Sequence, residues 1–431
     1  MATARRSCVE LIAIIALVAC AACSAAGGAG RTNQPTAGRH SNAVLVAGGA
    51  FDFAESFPRG TDLDNAKVGD AADTLVAVVS GARKHLDVAQ FYIANRPRSR
   101  LEPVIHAIEA AARRGVSVRI LTEAAFVSKY SETLARLRNQ KNITVRSWQT
   151  SQAYGGILHA KYVVADGADA FLGSHNFDWR AVDHNVELSV RIRRTAIANR
   201  LARIFESDWR AAGGSKSATA TTQSEPSWES ASFRGSKVRM ALVASCEKGL
   251  PPGVAWDLPQ LIGLITSARR EVRIHLLGYK RADRKGRLIN GLDSAILSAA
   301  KRGVRVKILL SHWSTRPHQM ADAKRLAAAP NIEVRLLHIA QDRTGFIPFA
   351  RVAHSKFMIV DGDKSWLGTN NWSWGYFHEG RNVGVLMRGQ GPAHVLSRVF
   401  DIAWRPRSGR SSTGAVPVDP RASYPPPRIS R

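Results

Sequence analysis

The sequence predicts an α/β protein in which two similar α/β/α lobes in one chain enclose an active site at their pseudo-two-fold interface. Two observations carry this expectation. The segment Ala-Ala-Arg-Arg-Gly-Val-Ser-Val-Arg-Ile-Leu at 111–121 returns as Ala-Ala-Lys-Arg-Gly-Val-Arg-Val-Lys-Ile-Leu at 299–309. A His-x-Lys pair, His159 with Lys161, returns as His354 with Lys356, 195 residues later. A unit this long is not a solenoid repeat. Helix and strand patterns that alternate within each half call for a sheet covered by helices on both faces.

Taken in order, residues 1–23 have the three-part grammar of an export signal: Arg5 and Arg6, an apolar run over 11–19, then small residues. That run is too short to span a bilayer comfortably. Leu17-Val-Ala-Cys20 resembles a bacterial lipobox, which would make Cys20 the lipidated first residue of the mature chain. The alternative is cleavage near 22–26, with Cys20 and Cys23 discarded. The expected location is outside the cytoplasm, in a bacterial periplasm or cell envelope. Residues 24–43, rich in small and polar types, read as a flexible tether. The first lobe is expected over 44–212, with a helix at 74–86, a strand at 87–93, a helix at 102–114, a turn at Gly115 and a strand at 116–122. Residues 213–236 read as a linker. The second lobe, 237–405, repeats the order with a helix at 258–269, a strand at 271–279, a helix at 292–302 and a strand at 304–310. The Pro-, Arg- and Ser-rich stretch 406–431 reads as a disordered basic tail.

The chain of 431 residues carries 61 Lys and Arg against 34 Asp and Glu, a formal charge of +27. Such a surface favours polyanions, here an anionic phospholipid membrane or single-stranded nucleic acid, although a basic composition says nothing about chemistry. No obligate protein partner is evident. Of the four cysteines, only Cys246 lies in the body of the chain, so neither a disulfide framework nor a Cys-based metal site can be built. No Asp/Glu/His cluster has metal-ligand spacing, and no cofactor is expected.

The chemistry resides in the repeated motif. Ile157-Leu-His159-Ala-Lys161 runs to Asp166, and Val352-Ala-His354-Ser-Lys356 runs to Asp361. On a strand, His and Lys two apart share a face. Each motif is followed by Gly-Ser/Thr-x-Asn, which brings Ser174 and Asn176 in the first half and Thr369 and Asn371 in the second. Both asparagines stand seventeen residues past their histidine. Cleaving a phosphodiester requires a nucleophile, an acid for the leaving oxygen and donors for the phosphoryl oxygens. Two motifs supply all three without a metal: one histidine attacks, the other protonates the leaving group, and Lys161, Lys356, Asn176 and Asn371 hold the phosphate. Asn185-Val-Glu187 and Asn382-Val-Gly384 follow the two motifs. Glu187 is therefore expected to orient His159, the nucleophile, with His354 as the general acid. Ser174, Thr369, Asp166 and Asp361 are expected to support, the two aspartates by binding backbone in the turn that follows. A lone His-x-Lys is usually a surface pair, and His85, His106, His275 and His312 keep an ordinary structural reading. The tryptophans Trp179, Trp313, Trp372 and Trp374 read as core or pocket wall.

At these residues the chain resembles the phospholipase D superfamily, whose signature is His-x-Lys-x4-Asp followed by Gly-Ser/Thr-x-Asn. It is most similar to the animal endolysosomal branch, known as 5′ exonucleases and acyl-glycerophosphate transferases. That likeness rests on Glu55-Ser-Phe-Pro-Arg-Gly60, Leu172-Gly-Ser-His-Asn-Phe-Asp-Trp-Arg180, Ile204-Phe-Glu-Ser-Asp-Trp209, Leu310-Ser-His-Trp313 and Leu367-Gly-Thr-Asn-Asn-Trp-Ser373. The resemblance implies a phosphohistidine mechanism on phospholipids, by hydrolysis or by transfer. The alternatives are a 5′ exonuclease on single-stranded nucleic acid and, lower, a non-catalytic basic lipoprotein. That branch enters the lumen with a membrane anchor and disulfides, whereas this chain has a lipobox-like signal and one body cysteine, so mechanism carries over more safely than substrate.

Overall fold

The computed structural model describes residues 49–193, 196–214, 225–289, 291–409 and 412–428. The export signal, Cys20 and the tether lie outside the described residues. Two mixed sheets form the frame. The first has eight strands in the order Gly69–Asp70, Phe51–Ser56, Glu187–Arg193, Asp169–Gly173, Tyr162–Ala165, His85–Gln90, Ser117–Glu123, Ile143–Trp148. The second repeats it: Glu229–Phe233, Ser236–Ser245, Asn382–Arg388, Lys364–Gly368, Phe357–Val360, Glu271–Leu276, Arg305–Ser311, Ile332–His338, Gly414–Pro417, with Ala255–Trp256 paired beside Ser236–Ser245.

The helices expected at 102–114 and 292–302 form as Glu102–Arg113 and Leu292–Lys301, and the one expected at 258–269 forms as Asp257–Thr266; the one expected at 74–86 forms earlier, as Ala71–Gly81, and the strand expected at 87–93 begins at His85. Glu102–Arg113 and Leu292–Lys301 end before Gly115 and Gly303, at φ 93° and 89°. Glycine adopts this left-handed backbone without a Cβ penalty, so both helices turn into the next strand at the same point.

Three apolar cores result. One lies under helices 71–81 and 102–113 on the outer face of the first sheet, and a second under helices 257–266 and 292–301 on the outer face of the second. The third fills the space between the sheets and contains the long helices Ala196–Ala212 and Gln390–Trp404. The lobes therefore share a core, and the carboxyl ends of their strands are held in a fixed relation.

Two expectations about irregular segments are corrected. Residues 229–233, placed in the linker, form a strand whose Ser232 carbonyl accepts from the Ala50 N–H at 3.0 Å and whose Phe233 ring stacks on Phe51 at 4.8 Å. Residues 414–417, placed in a disordered tail, pair antiparallel with Ile332–His338.

Candidate active site

The two His-x-Lys segments were expected on strands. They lie instead just before strands Tyr162–Ala165 and Phe357–Val360, because their backbone bonds to the opposite lobe. His159 N–H donates to the Arg381 carbonyl at 2.9 Å, and Arg381 N–H donates to Ile157 at 3.0 Å. In the other half, His354 N–H donates to Val186 at 2.8 Å and Val186 N–H donates to Val352 at 2.9 Å. The bridges Leu158 with Arg381 and Ala353 with Val186 are one contact repeated under a shift of 195 residues. That repetition is the pseudo-two-fold axis, and it brings the two histidines into one site.

Glu187 does not orient His159, contrary to the expectation from sequence. Its Oε2 lies 2.8 Å from His354 Nδ1, across the lobe boundary. His159 Nδ1 instead faces Asn382 Oδ1 at 3.0 Å. Under the 195-residue shift Glu187 corresponds to Asn382, so each lobe supplies the partner of the other lobe's histidine. Gly384, taken as the empty counterpart of Glu187, is a packing position where a Cβ would come within 2.5 Å of Trp366 Nε1.

These partners set different electrostatics. Asn382 is locked: its Nδ2 donates to the Tyr376 carbonyl at 2.8 Å, and its Oδ1 accepts from Thr369 Oγ1 at 3.0 Å. An oxygen must therefore face His159, which selects the tautomer with hydrogen on Nδ1 and a free lone pair on Nε2. Burial, then the charges of Lys161 and Lys356, hold His159 well below the usual histidine range. Burial also lowers His354, but there the Glu187 carboxylate works against it. Of the two, His354 is the better placed to hold a proton.

Lys161 and Lys356 are buried, and each ammonium donates to the carbonyl of its own histidine, Lys161 at 2.5 Å. Burial lowers Lys161 well below its ordinary value and brings Lys356 down to about 7. Asn176 and Asn371 each keep a buried Oδ1 without a hydrogen-bond partner among the described residues. Ser174 and Thr369 act as braces: each hydroxyl accepts from a backbone N–H, that of Leu188 at 2.9 Å and that of Val383 at 3.1 Å. Asp166 and Asp361 bind backbone, but not in the turn that follows. Asp166 accepts from the N–H groups of Arg83, Lys84 and His85, and Asp361 from those of Arg269, Arg270 and Glu271. Each aspartate thus ties its motif to the preceding helix-to-strand turn. No three His, Cys, Asp or Glu side chains among the described residues are grouped so as to hold a metal ion.

Several site residues escaped the sequence reading. Asn382 could have been found by keeping the 195-residue shift constant. Phe91 and Tyr376 meet the His159 ring edge-on, at 5.2 and 4.8 Å. From Phe91 an aromatic ladder runs outward, with Phe126 at 4.4 Å and Tyr92 stacked on Tyr130 at 4.5 Å, and Lys129 lies over the Tyr130 and Phe349 rings. Arg381 is fully buried and paired with Asp208 at 3.0 Å. Nothing in the local sequence marks either feature.

Among the described residues the two site lysines face one carboxylate, Glu187, which gives a testable consequence. An anion seated between Lys161 and Lys356 favours their protonated forms, so binding above the lowered lysine values must draw protons from solution. Sulfate carries no proton of its own at pH 8. Calorimetry at pH 8 in buffers of different ionisation enthalpy should show proton uptake on sulfate binding, with affinity falling as pH rises above about 7. Lys356→Gln should reduce both effects. Sulfate binding with no proton uptake and no pH dependence would contradict the lowered lysines.

Residues 75–209 and 261–404 match the family model described as "Cardiolipin synthase, PLD-like domain". The chain is 29% identical over 380 residues to the 5'-3' exonuclease PLD3 of Rattus norvegicus, covering 80% of this chain and 77% of that one. It is 26% identical over 388 residues to Phospholipase D Z of Dictyostelium discoideum, covering 83% and 89%. Among solved structures, the phosphatidylserine synthase of Haemophilus influenzae shares the fold, with a TM-score of 0.55 at 12% identity over 80% of this chain and 85% of that one. With one histidine–lysine pair in each matched segment, and more than half of its length matched, this chain belongs to the PLD-like domain family and is a phosphodiesterase of the phospholipase D superfamily.

Proposed function

We propose that this phosphodiesterase acts on phospholipids through a phosphohistidine at His159. The reading rests on the unequal partners of the two histidines. His159, neutral and with its Nε2 lone pair free, attacks phosphorus; the P–N bond forms as the bond to the leaving alcohol breaks. His354, whose charged form Glu187 stabilises, gives its proton to the leaving oxygen. In the second step His354 takes a proton from water, the water oxygen attacks phosphorus, and His159 departs. An alcohol in place of water gives transfer. Lys161, Lys356, Asn176 and Asn371 donate to the non-bridging oxygens in both steps. The order of roles is the one expected from sequence, but its reason is reversed: the amide keeps the nucleophile neutral, and the carboxylate serves the acid.

A second reading, cleavage of single-stranded nucleic acid from its 5′ end, is favoured by the half-buried ladder of Tyr92, Tyr130 and Phe349 with Lys129 across it. Stacked rings beside a cation suit a base and its phosphate. The deciding experiment offers the purified protein a choline phospholipid in vesicles and a 5′-hydroxyl single-stranded oligonucleotide, each with excess EDTA, with His159→Ala as control. Choline release that survives EDTA and vanishes in the variant is the expected result. Nucleotide release in its place selects the second reading, and activity restored only by a divalent ion overturns the mechanism.

A further inference from the structure

The two lobes are not equivalent where their strands open onto the site. Strands His85–Gln90 and Glu271–Leu276 correspond, as do Ser117–Glu123 and Arg305–Ser311. Leu277, Gly278 and Ser314 therefore stand where the first lobe has Phe91, Tyr92 and Phe126. No ladder can form there. Gly278 packs so closely that a Cβ would meet Gln319 Nε2 at 2.9 Å and Ser314 Oγ at 3.2 Å.

Two residues beyond Gly278 and Ser314 the second lobe holds two cations, Lys280 and Arg316, where the first has Ala94 and Ser128. Lys280 N–H donates to the carbonyl of Trp372 at 2.9 Å, which sets Lys280 beside the residue next to Asn371. Arg316 precedes the eleven-residue helix Pro317–Ala327, which has no side chain capping its first turn. Both side chains are half-buried, and neither makes an ion pair or side-chain hydrogen bond among the described residues. Their neighbours do: Arg287 pairs with Asp283 at 2.6 Å and Glu379 at 2.7 Å, Arg281 lies 3.7 Å from Asp293, and Arg325 also binds Asp293. Burial lowers both cations from their ordinary values, and the Arg316 charge lowers Lys280 further. Arg284 adds to the positive field at Lys280, and Asp322 offsets part of it while also accepting from the Arg281 N–H at 2.9 Å and lying 3.9 Å from Arg325. Two cations with no ion pair of their own among the described residues, on segments that Gly278 packs against Ser314 and Gln319 and beside an uncapped helix start, favour an anion.

We propose that Lys280 and Arg316 form a second anion subsite that takes a further phosphate of the substrate, so that a molecule with two phosphodiesters is preferred over one with a single phosphodiester. The inference rests on the phosphodiester chemistry proposed above. Two pairs of compounds separate the possible sources of the second phosphate: a trinucleotide against a dinucleotide, each without terminal phosphates, and diphosphatidylglycerol against phosphatidylglycerol. In each pair the ratio of kcat/KM is measured for the wild type, for Lys280→Gln/Arg316→Gln, and for Lys141→Gln/Lys237→Gln, which removes the same charge from exposed sites. In the pair that is substrate, the wild type should favour two phosphodiesters. The first double variant should lose about tenfold of that preference through KM, and the second should keep it. The same ratio is read as Kd with His159→Ala protein. Absence of turnover in the wild type would count against the proposed reaction, whereas the Kd ratio alone decides the subsite. A ratio near one in the wild type, or an equal loss in both double variants, would overturn it.

Discussion

His159→Ala and His354→Ala should each lower turnover of an ordinary phosphodiester by at least about 10⁴-fold, because nucleophile and acid act as a unit and their losses do not add. An activated substrate should separate them. The p-nitrophenolate leaving group needs little protonation, so His354→Ala should release a burst close to one equivalent from bis(p-nitrophenyl) phosphate. It should then stall, since no group remains to deprotonate water. His159→Ala should show no burst. Mass spectrometry of peptides from the quenched reaction should place the adduct on His159. An adduct on His354 would reverse the roles and return to the carboxylate-bearing histidine the task that a triad acid supports. No adduct under single-turnover conditions would exclude covalent catalysis.

That the question takes this form reflects what a single chain can and cannot disclose. The two motifs were legible because each His and Lys lies two residues apart and each Asn stands seventeen beyond its histidine. The partner of each histidine was not. Glu187 is 28 residues from His159 and 167 from His354, and proximity in sequence favours the wrong one. The Asn-Val pairs at 185–186 and 382–383 reinforced the error by suggesting a shift of 197, two residues more than the motifs and the three strands after them require. A pseudo-two-fold axis through the site sends each side chain to the facing lobe, and no local pattern encodes that exchange. The strand at 414–417 was missed for another reason. Composition marks it as disordered, yet what decides its state is the open edge of strand 332–338, and an edge is where a strand ending in Pro417 is tolerated.

Arg381 should be the side chain whose loss costs the most stability. It pairs with Asp208 at 3.0 Å where both are fully buried, and it also donates to the Tyr154 hydroxyl at 2.9 Å and the carbonyls of Ser245 and Lys248 at 3.2 Å. Arg381→Met strands the Asp208 charge, at a cost of about 3–5 kcal/mol. The loss should depend on pH. Burial already raises Asp208 to about 6 with the arginine in place, and without it the carboxyl rises further. A carboxyl whose folded value is raised favours the folded state most at low pH and loses that stability as pH rises through the folded value. Thermal denaturation of Arg381→Met should therefore show a smaller deficit against wild type at pH 5 than at pH 8. Arg381→Met/Asp208→Leu should recover part of it at pH 8, because both charges are gone while the carbonyls of Ser245 and Lys248 remain without their donor. Equal deficits at both pH values, or a double variant no better than the single, would show that Arg381 stabilises through packing and not through its charge. Because its backbone also bonds His159 N–H and the Ile157 carbonyl, whatever variant remains folded should lose activity as well, by misplacing the nucleophile.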